Sequence, residues 1–288
     1  MKSLDWNRTK TIFIVVFSIL NVFLYSLYVD RYNNTQNVPV IGETSIEESL
    51  RSDDISYGEL PVYADESYYV SAEISAFSEE QLKKLVDQKF TLVDETHLIS
   101  KLDFPFPLNN AKGEEQFTQF LATHVLNGNE YVLWNHDEEK RQATFFQKVD
   151  AYPIFFNKNA MLLINWDEDE NIISYEQSMF AEFINFNKKK DVLLPIEAIN
   201  TLYSKDYLKK GSTVINISLG YSTHIQLTKT QVFAPTWHVR VKLEDEEIED
   251  YFISATDGKI IEFKDELEEP DTIGGNDEET EIDDQGDF

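Results

Sequence analysis

Residues 11–29 read TIFIVVFSILNVFLYSLYV, 19 positions without a formal charge, and this run limits what the chain can become more than any other feature. Thirteen of the 19 are aliphatic or Phe, two are Tyr and four are Thr, Ser or Asn. A helix rising about 1.5 Å per residue carries such a run across the roughly 30 Å hydrocarbon core of a bilayer. The stretch is too apolar and too long for an ordinary amphipathic core helix. Lys2, Arg8 and Lys10 precede it with only Asp5 against them, while Asp30 and Arg31 cancel just after it. Positive charge marks the cytoplasmic side, so residues 1–10 are expected in the cytoplasm and the bulk of the chain outside. A cleaved secretory signal would have a shorter apolar region followed by small residues, whereas Leu27, Tyr28 and Val29 end this one. The expectation is a single-pass cell-membrane protein with an uncleaved anchor at residues 11–29.

The formal charge is −28, and residues 1–10 contribute three bases and one acid, which leaves −30 for the remainder. Nucleic acid is excluded as a partner on these grounds. The same charge repels anionic headgroups and anionic wall polymers, an effect that fades over about 8 Å at physiological salt. With no cysteine in the chain, the outer region must rely on a hydrophobic core. Thiol nucleophiles, zinc knuckles and cysteine-held iron clusters are excluded, and a bacterial envelope suits a secreted domain without disulfides.

Residues 30–60 are mostly polar and read as a juxtamembrane linker with a short helix near residues 45–50. From about Pro61 aromatic and β-branched residues become dense. Ser78 is the N-cap of a helix expected to run through Gln88, with Leu82, Leu85 and Val86 at helical spacing. A second helix follows Gly113 and buries Phe117, Phe120, Leu121 and Val125. Strands are expected at residues 131–134, 143–149, 160–166 and 172–180. The order then recurs: a helix at 196–209 ended by Gly211, and strands at 213–221, 223–228, 237–243 and 251–255. An offset of 82 residues places Pro153 on Pro235 and the helix starting at Glu114 on the one starting at Ile196. The fold class expected is therefore α+β, with an extracytoplasmic domain of two similar halves at 61–190 and 191–264, each a helix plus an antiparallel sheet. Residues 265–288 hold twelve acids and no base, and form an acidic tail expected to be disordered.

No catalytic constellation stands out. His97, His124, His136, His224 and His238 lack metal-ligand spacing, and no HExxH, GxSxG, Walker or dinucleotide-binding motif occurs. Paired carboxylates arise by chance in a chain with 53 acids, so the sequence points to no catalytic residue, cofactor or metal. Asp167, Asp169 and Asn171 alternate as at the start of an EF-hand loop. Ile172 stands where that loop needs Gly and Ser178 where it needs Glu, so a charged hairpin turn is expected. Trp134, Trp166 and Trp237 fall in expected strands and are assigned to the core, a peptide-binding groove being the alternative that exposed aromatic clusters would favour. Within the span, Thr11, Ser18, Asn21, Tyr25 and Tyr28 recur at spacings of 7, 3, 4 and 3 and so share one helical face, a seam suited to a partner helix. Asn21 is its sharpest member, because an unpaired amide in hydrocarbon is costly.

The string DWNRTKTIFIVVFSILNVFLYSLYVDRY (5–32) resembles the opening of the YycI family, membrane regulators of the WalK/WalR (YycG/YycF) two-component system of Gram-positive bacteria. TWHVRVKLEDEEIEDYFISATDGKIIEF (236–263) resembles a PepSY-like module, in which a Trp strand is followed by a strand ending at a Gly turn. The resemblance implies a YycH/PepSY-like fold, no enzymatic activity and no cofactor. It implies association with the sister protein YycH and the sensor kinase WalK, partly through transmembrane helices, with cell-wall homeostasis as output. Self-association as a homodimer stays open. The alternative is a membrane-anchored envelope module that binds peptide or wall polymer.

Overall fold

In a computed structural model the fold is described for residues 6–36, 45–63, 66–108, 112–186, 188–223, 225–226 and 228–263. The acidic tail at 265–288, His224 and residues 1–5 lie outside these. The uncharged run belongs to helix α1 (Trp6–Gln36), which continues seven residues past Val29. The stretch expected as a linker is thus helical at its start and folded at its end. Helix α2 (Ile46–Ser52) opens with a capping box: the Ser45 hydroxyl accepts the Glu48 N–H at 3.2 Å, and the Ser45 N–H donates to the Glu48 carboxylate at 3.3 Å. Leu50 and Ile55 are buried, so this segment belongs to a core.

The elements that follow are β1 (Ser56–Tyr57), β2 (Glu66–Ser67), β3 (Val70–Ile74), α3 (Glu79–Leu82), β4 (Gln88–Val93), β5 (His97–Pro107) and α4 (Thr118–His124). Next come β6 (Tyr131–Asp137), β7 (Gln142–Val149), β8 (Tyr152–Pro153), β9 (Met161–Trp166), β10 (Asn171–Ser178), β11 (Phe180–Asn185) and β12 (Lys190–Asp191). The last are α5 (Pro195–Ser204), β13 (Thr213–Ser222), β14 (Thr230–Lys242), β15 (Ile248–Ser254) and β16 (Ile260–Ile261). The class is α+β, as expected.

Two compact units form, and neither is a continuous stretch: one is Met1–Tyr69 with Asn187–Leu219 and Ala234–Ile261, the other Val70–Phe186 with Gly220–Phe233 and Glu262–Phe288. Strands pair across the boundary expected at residues 190/191. β3 lies between β11 and the first residues of β14, and β1 pairs in parallel with β13.

In the second of these units a sheet runs in the order β4-β5-β10-β9-β7-β6. Strand alternation sends Leu98, Ser100 and Leu102 of β5 to the buried face and Ile99, Lys101 and Asp103 outward. The 3₁₀ turn at Gly113–Phe117 and α4 supply Phe117, Phe120 and Leu121, which with Val125 join that core as the sequence pattern requires. A smaller core gathers Val70, Val149, Ile154, Phe180, Tyr221 and Phe233. Helix α3 begins at Ser78 with a capping box to Gln81, but it stops at Leu82 and leaves Val86 exposed. β4 and β5 were hidden in the sequence because Gln88 and Ser100 put polar groups on the buried face. There the Ser100 hydroxyl donates to the Gln88 side-chain carbonyl at 2.6 Å, and the Gln88 amide and the Tyr175 hydroxyl both donate to the carbonyl of His124.

In the first unit the sheet order is β1-β13-β14-β15-β16. Trp237 is fully buried, its indole N–H donating to the Leu193 carbonyl at 3.0 Å. Helix α5 starts with Pro195 and buries Ala198, Ile199 and Leu202. It ends at Ser204, five residues before the expected stop: Asp206 adopts a φ of 61°, Tyr207 N–H returns to Leu202 C=O and Asp206 N–H to Tyr203 C=O. That is a Schellman closure with Asp where Gly is usual. The strand expected at 223–228 does not form among the described residues of that stretch, which leave out His224 and Leu227.

Gly128 sits where a Cβ would lie 2.0 Å from the Leu121 carbonyl oxygen, a backbone atom that cannot swing aside. Gly128→Ala is therefore expected to destabilise this unit by about 1–3 kcal/mol, read as a lower midpoint in thermal or denaturant unfolding. An unchanged midpoint would show that α4 yields to the methyl group.

Candidate functional site

The most exposed apolar surface is on α1. Its window Lys10–Leu27 is long and apolar enough to cross a membrane, and none of it is buried by the rest of the protein. This is compatible with single-pass anchoring. Thr11, Ser18, Asn21 and Tyr25 are exposed, and at about 100° per residue they fall within an arc of roughly 80°. Tyr28 continues the same line by backbone position, its side chain being outside the described part. Phe13, Ile14, Phe17, Val22 and Phe23 are exposed around them. These polar residues thus lie exposed along one helix, and no described residue covers them.

Elsewhere the described histidines are engaged with their neighbours. His97 sits 3.1 Å from Glu176 Oε2 and 3.0 Å from Ser178 Oγ. His136 packs on the rings of Phe117 and Trp166, and His124 stacks on Phe120, where burial lowers its pKa. No group of three or more His, Asp or Glu side chains able to hold a metal occurs among the described residues. The calcium-like string is a hairpin turn between β9 and β10. Asp167 Oδ1 accepts the N–H groups of Asn171 and Asp169, each at 2.9 Å, and these bonds hold its carboxyl below the usual range. Trp166 and Trp237 are core residues; Trp134 is half-buried against Phe146, Phe155 and Phe156. A polar cleft of about 590 Å³ is lined by residues including Asp53, Tyr203, Asp206 and Lys209, and there the Tyr203 hydroxyl donates to Asp53 at 2.6 Å.

One polar cluster escaped the sequence reading. His238 Nε2 lies 2.6 Å from Asp250 Oδ1, Ser218 Oγ lies 3.4 Å from His238 Nδ1, and Arg240 donates to both oxygens of Asp250 at 2.8 and 3.0 Å. The order of groups imitates a hydrolase triad. The imidazole, however, is only 3% exposed and stacked on Phe252, and the guanidinium occupies the carboxylate. Its physical role is to tie β14 to β15, whose register sets Arg240 opposite Asp250. The available signal was the alternation of His238 and Arg240 two residues apart, facing an acid across a turn.

Burial pushes the Asp250 carboxyl up, but the hydrogen bonds from His238 and Arg240 outweigh it and hold the pKa at about 2. A depressed carboxyl stabilises the fold above its unfolded pKa and loses that contribution as pH falls toward the folded value. Unfolding free energy should therefore drop by about 2 kcal/mol between about pH 4 and pH 2. Asp250→Asn should remove that slope and lower stability at neutral pH; a slope that survives in the variant would assign it to other carboxylates.

A family model described as YycI protein matches residues 34–256, beginning just past the span. No curated protein matches the chain. Among solved structures, an uncharacterized protein from Eubacterium rectale is 14% identical with a TM-score of 0.45, the match covering 74% of this chain and 92% of that one. The C-terminal domain of YpeB from Bacillus megaterium is 13% identical with a TM-score of 0.38, covering 78% and 98% respectively.

Proposed function

The chain belongs to the YycI family, and from that membership we propose that it is a non-enzymatic membrane regulator which associates with the sensor kinase WalK (YycG) and the sister protein YycH to adjust signalling for cell-wall homeostasis. YycI is a regulatory family and no known enzyme family, and membership implies involvement in the WalK two-component system. The family match over residues 34–256 is the observation that carries the reading. In this reading residues 1–10 are cytoplasmic, α1 crosses the membrane and the two units stand outside. The order helix, then four strands that pair one after another in the sheet, occurs at α4 with β6-β7-β9-β10, where β8 pairs with β7 off this path, and at α5 with β13-β14-β15-β16. That order supports two related PepSY-like halves.

Thr11, Ser18, Asn21, Tyr25 and Tyr28 then form the face that docks on a partner helix. Regulation requires only that the helix bind one signalling state of the kinase more tightly, and about 1.4 kcal/mol biases the states tenfold. An interhelical hydrogen bond from Asn21 is worth about 0.6–2 kcal/mol in a membrane. Asn21→Leu should weaken recovery of the kinase after crosslinking in membranes by roughly 3- to 30-fold. Recovery unchanged both in this variant and with an unrelated helix in place of α1 would move recognition into the outer units. Loss of WalK and YycH from every preparation would favour an envelope binding module.

A further inference from the structure

β4 ends the sheet β4-β5-β10-β9-β7-β6, and its register with β5 is unbroken from Gln88↔Leu102 to Val93↔His97. The Asp103 N–H donates to the Asp87 carbonyl at 2.9 Å, a pair that continues the same register. Hydrogen-bonded pairs alternate along an antiparallel ladder. Lys89, Thr91 and Val93 therefore bond to β5, while the main-chain N–H and C=O groups of Phe90 and Leu92 point away from it. Among the described residues nothing takes those groups. The strand is also open to solvent: Lys89 and Thr91 are exposed, Phe90 is 39% and Val93 43% exposed.

An unpaired edge is a hazard that folds usually blunt, and the other end strands of this chain are blunted. β1, β2, β8, β12 and β16 are two residues long. β6 carries a register shift between Leu133 and Asn135, and β11 one between Ala181 and Ile184. Beyond the reach of β4, β5 itself holds Pro105 and Pro107, which have no N–H to offer. β4 has six residues, no proline and no bulge.

We propose that β4 receives an extended segment of a partner protein as an added antiparallel strand, the main chain supplying the bonds and the side chains the selection. Charge gives the segment its direction. At the start of β4, Lys89 stands directly opposite Lys101, two like charges eased only by Asp103, 3.6 Å from Lys89 and itself in the open. At its end the exposed Asp94 and Glu95 form the hairpin turn. An antiparallel partner that is basic at its N-terminal end, apolar in the middle and acidic at its C-terminal end matches both ends. Its apolar side chains lie beside Phe90 and Leu92, on the face whose row includes the buried Leu98. Strand addition here is independent of docking through α1.

The full chain in nanodiscs is titrated with a capped hexapeptide, Lys-Thr-Val-Thr-Val-Glu, whose valines oppose Leu92 and Phe90 when its lysine meets Asp94 and its glutamate Lys89. Residue-resolved hydrogen exchange should slow at Phe90 and Leu92 and stay unchanged at Thr91, whose N–H is already bonded to β5. N-methylation of both valines removes their donors and should weaken binding at least about fivefold. Lys89→Glu should weaken it by about 1.5- to 5-fold, and a peptide ending in lysine should restore it. Binding that survives methylation, or exchange that does not slow at Phe90 and Leu92, would overturn the proposal. Slow exchange at both residues before peptide is added, with a doubled particle mass, would overturn it in favour of a second copy of the chain on this edge.

Discussion

Apolar surface has to leave water, and a chain without a cysteine has no disulfide to fall back on when it does not. Two separate solvents answer that demand here. The side chains of Lys10–Leu27 find no cover among the described residues, and their length and apolarity are compatible with a lipid bilayer. Outside that window the same residue types close against one another: Phe117, Phe120, Phe145, Tyr175 and Leu98 in one core, Val70, Phe180 and Phe233 in a smaller one. At roughly 1.5–3 kcal/mol for each fully buried large side chain, these clusters are what conformational entropy is set against.

Burial of this kind is indifferent to register, and polar groups inside the sheets supply the missing specificity. Gln147 shows how. Its side-chain carbonyl accepts the Phe180 N–H at 2.7 Å and its amide donates to the Phe180 carbonyl at 3.0 Å, so a side chain takes the place of a strand where β10 gives way to β11. Asn157 donates to Gln231 at 2.7 Å in the same unit, and Gln177 donates to the Leu126 carbonyl at 2.6 Å. Left unpaired, each of these amides would cost about 1–3 kcal/mol, which penalises any slipped pairing. The Arg240–Asp250–His238 cluster does the same for β14 and β15 in the other unit, with charge added.

A member of a regulatory family needs no reactive group. Its described histidines are stacked, paired or buried, and the Asp167 carboxylate of the 167–171 turn is spent on backbone N–H groups. What remains available to other molecules is surface, above all the helical face of α1 with four polar side chains along it. Such a face is suited to weak, reversible contacts.

The sequence by itself determined the span and its polar seam, the α+β class, the buried stripe of Phe117, Phe120, Leu121 and Val125 and most strands, because each is written in local periodicity. Family resemblance was legible in the residues around the span, and the family match lies over the rest of the chain. Tertiary structure alone decided what depends on distant partners. β4 and β5 became strands because Gln88 and Ser100 satisfy each other across a hairpin. The stretch around Leu50 joined a core because β1 found β13, over 150 positions away. One unit gathers segments far apart in the chain because β3 lies between β11 and the first residues of β14. Periodicity records which face of an element is apolar; it carries no record of which other face will close over it.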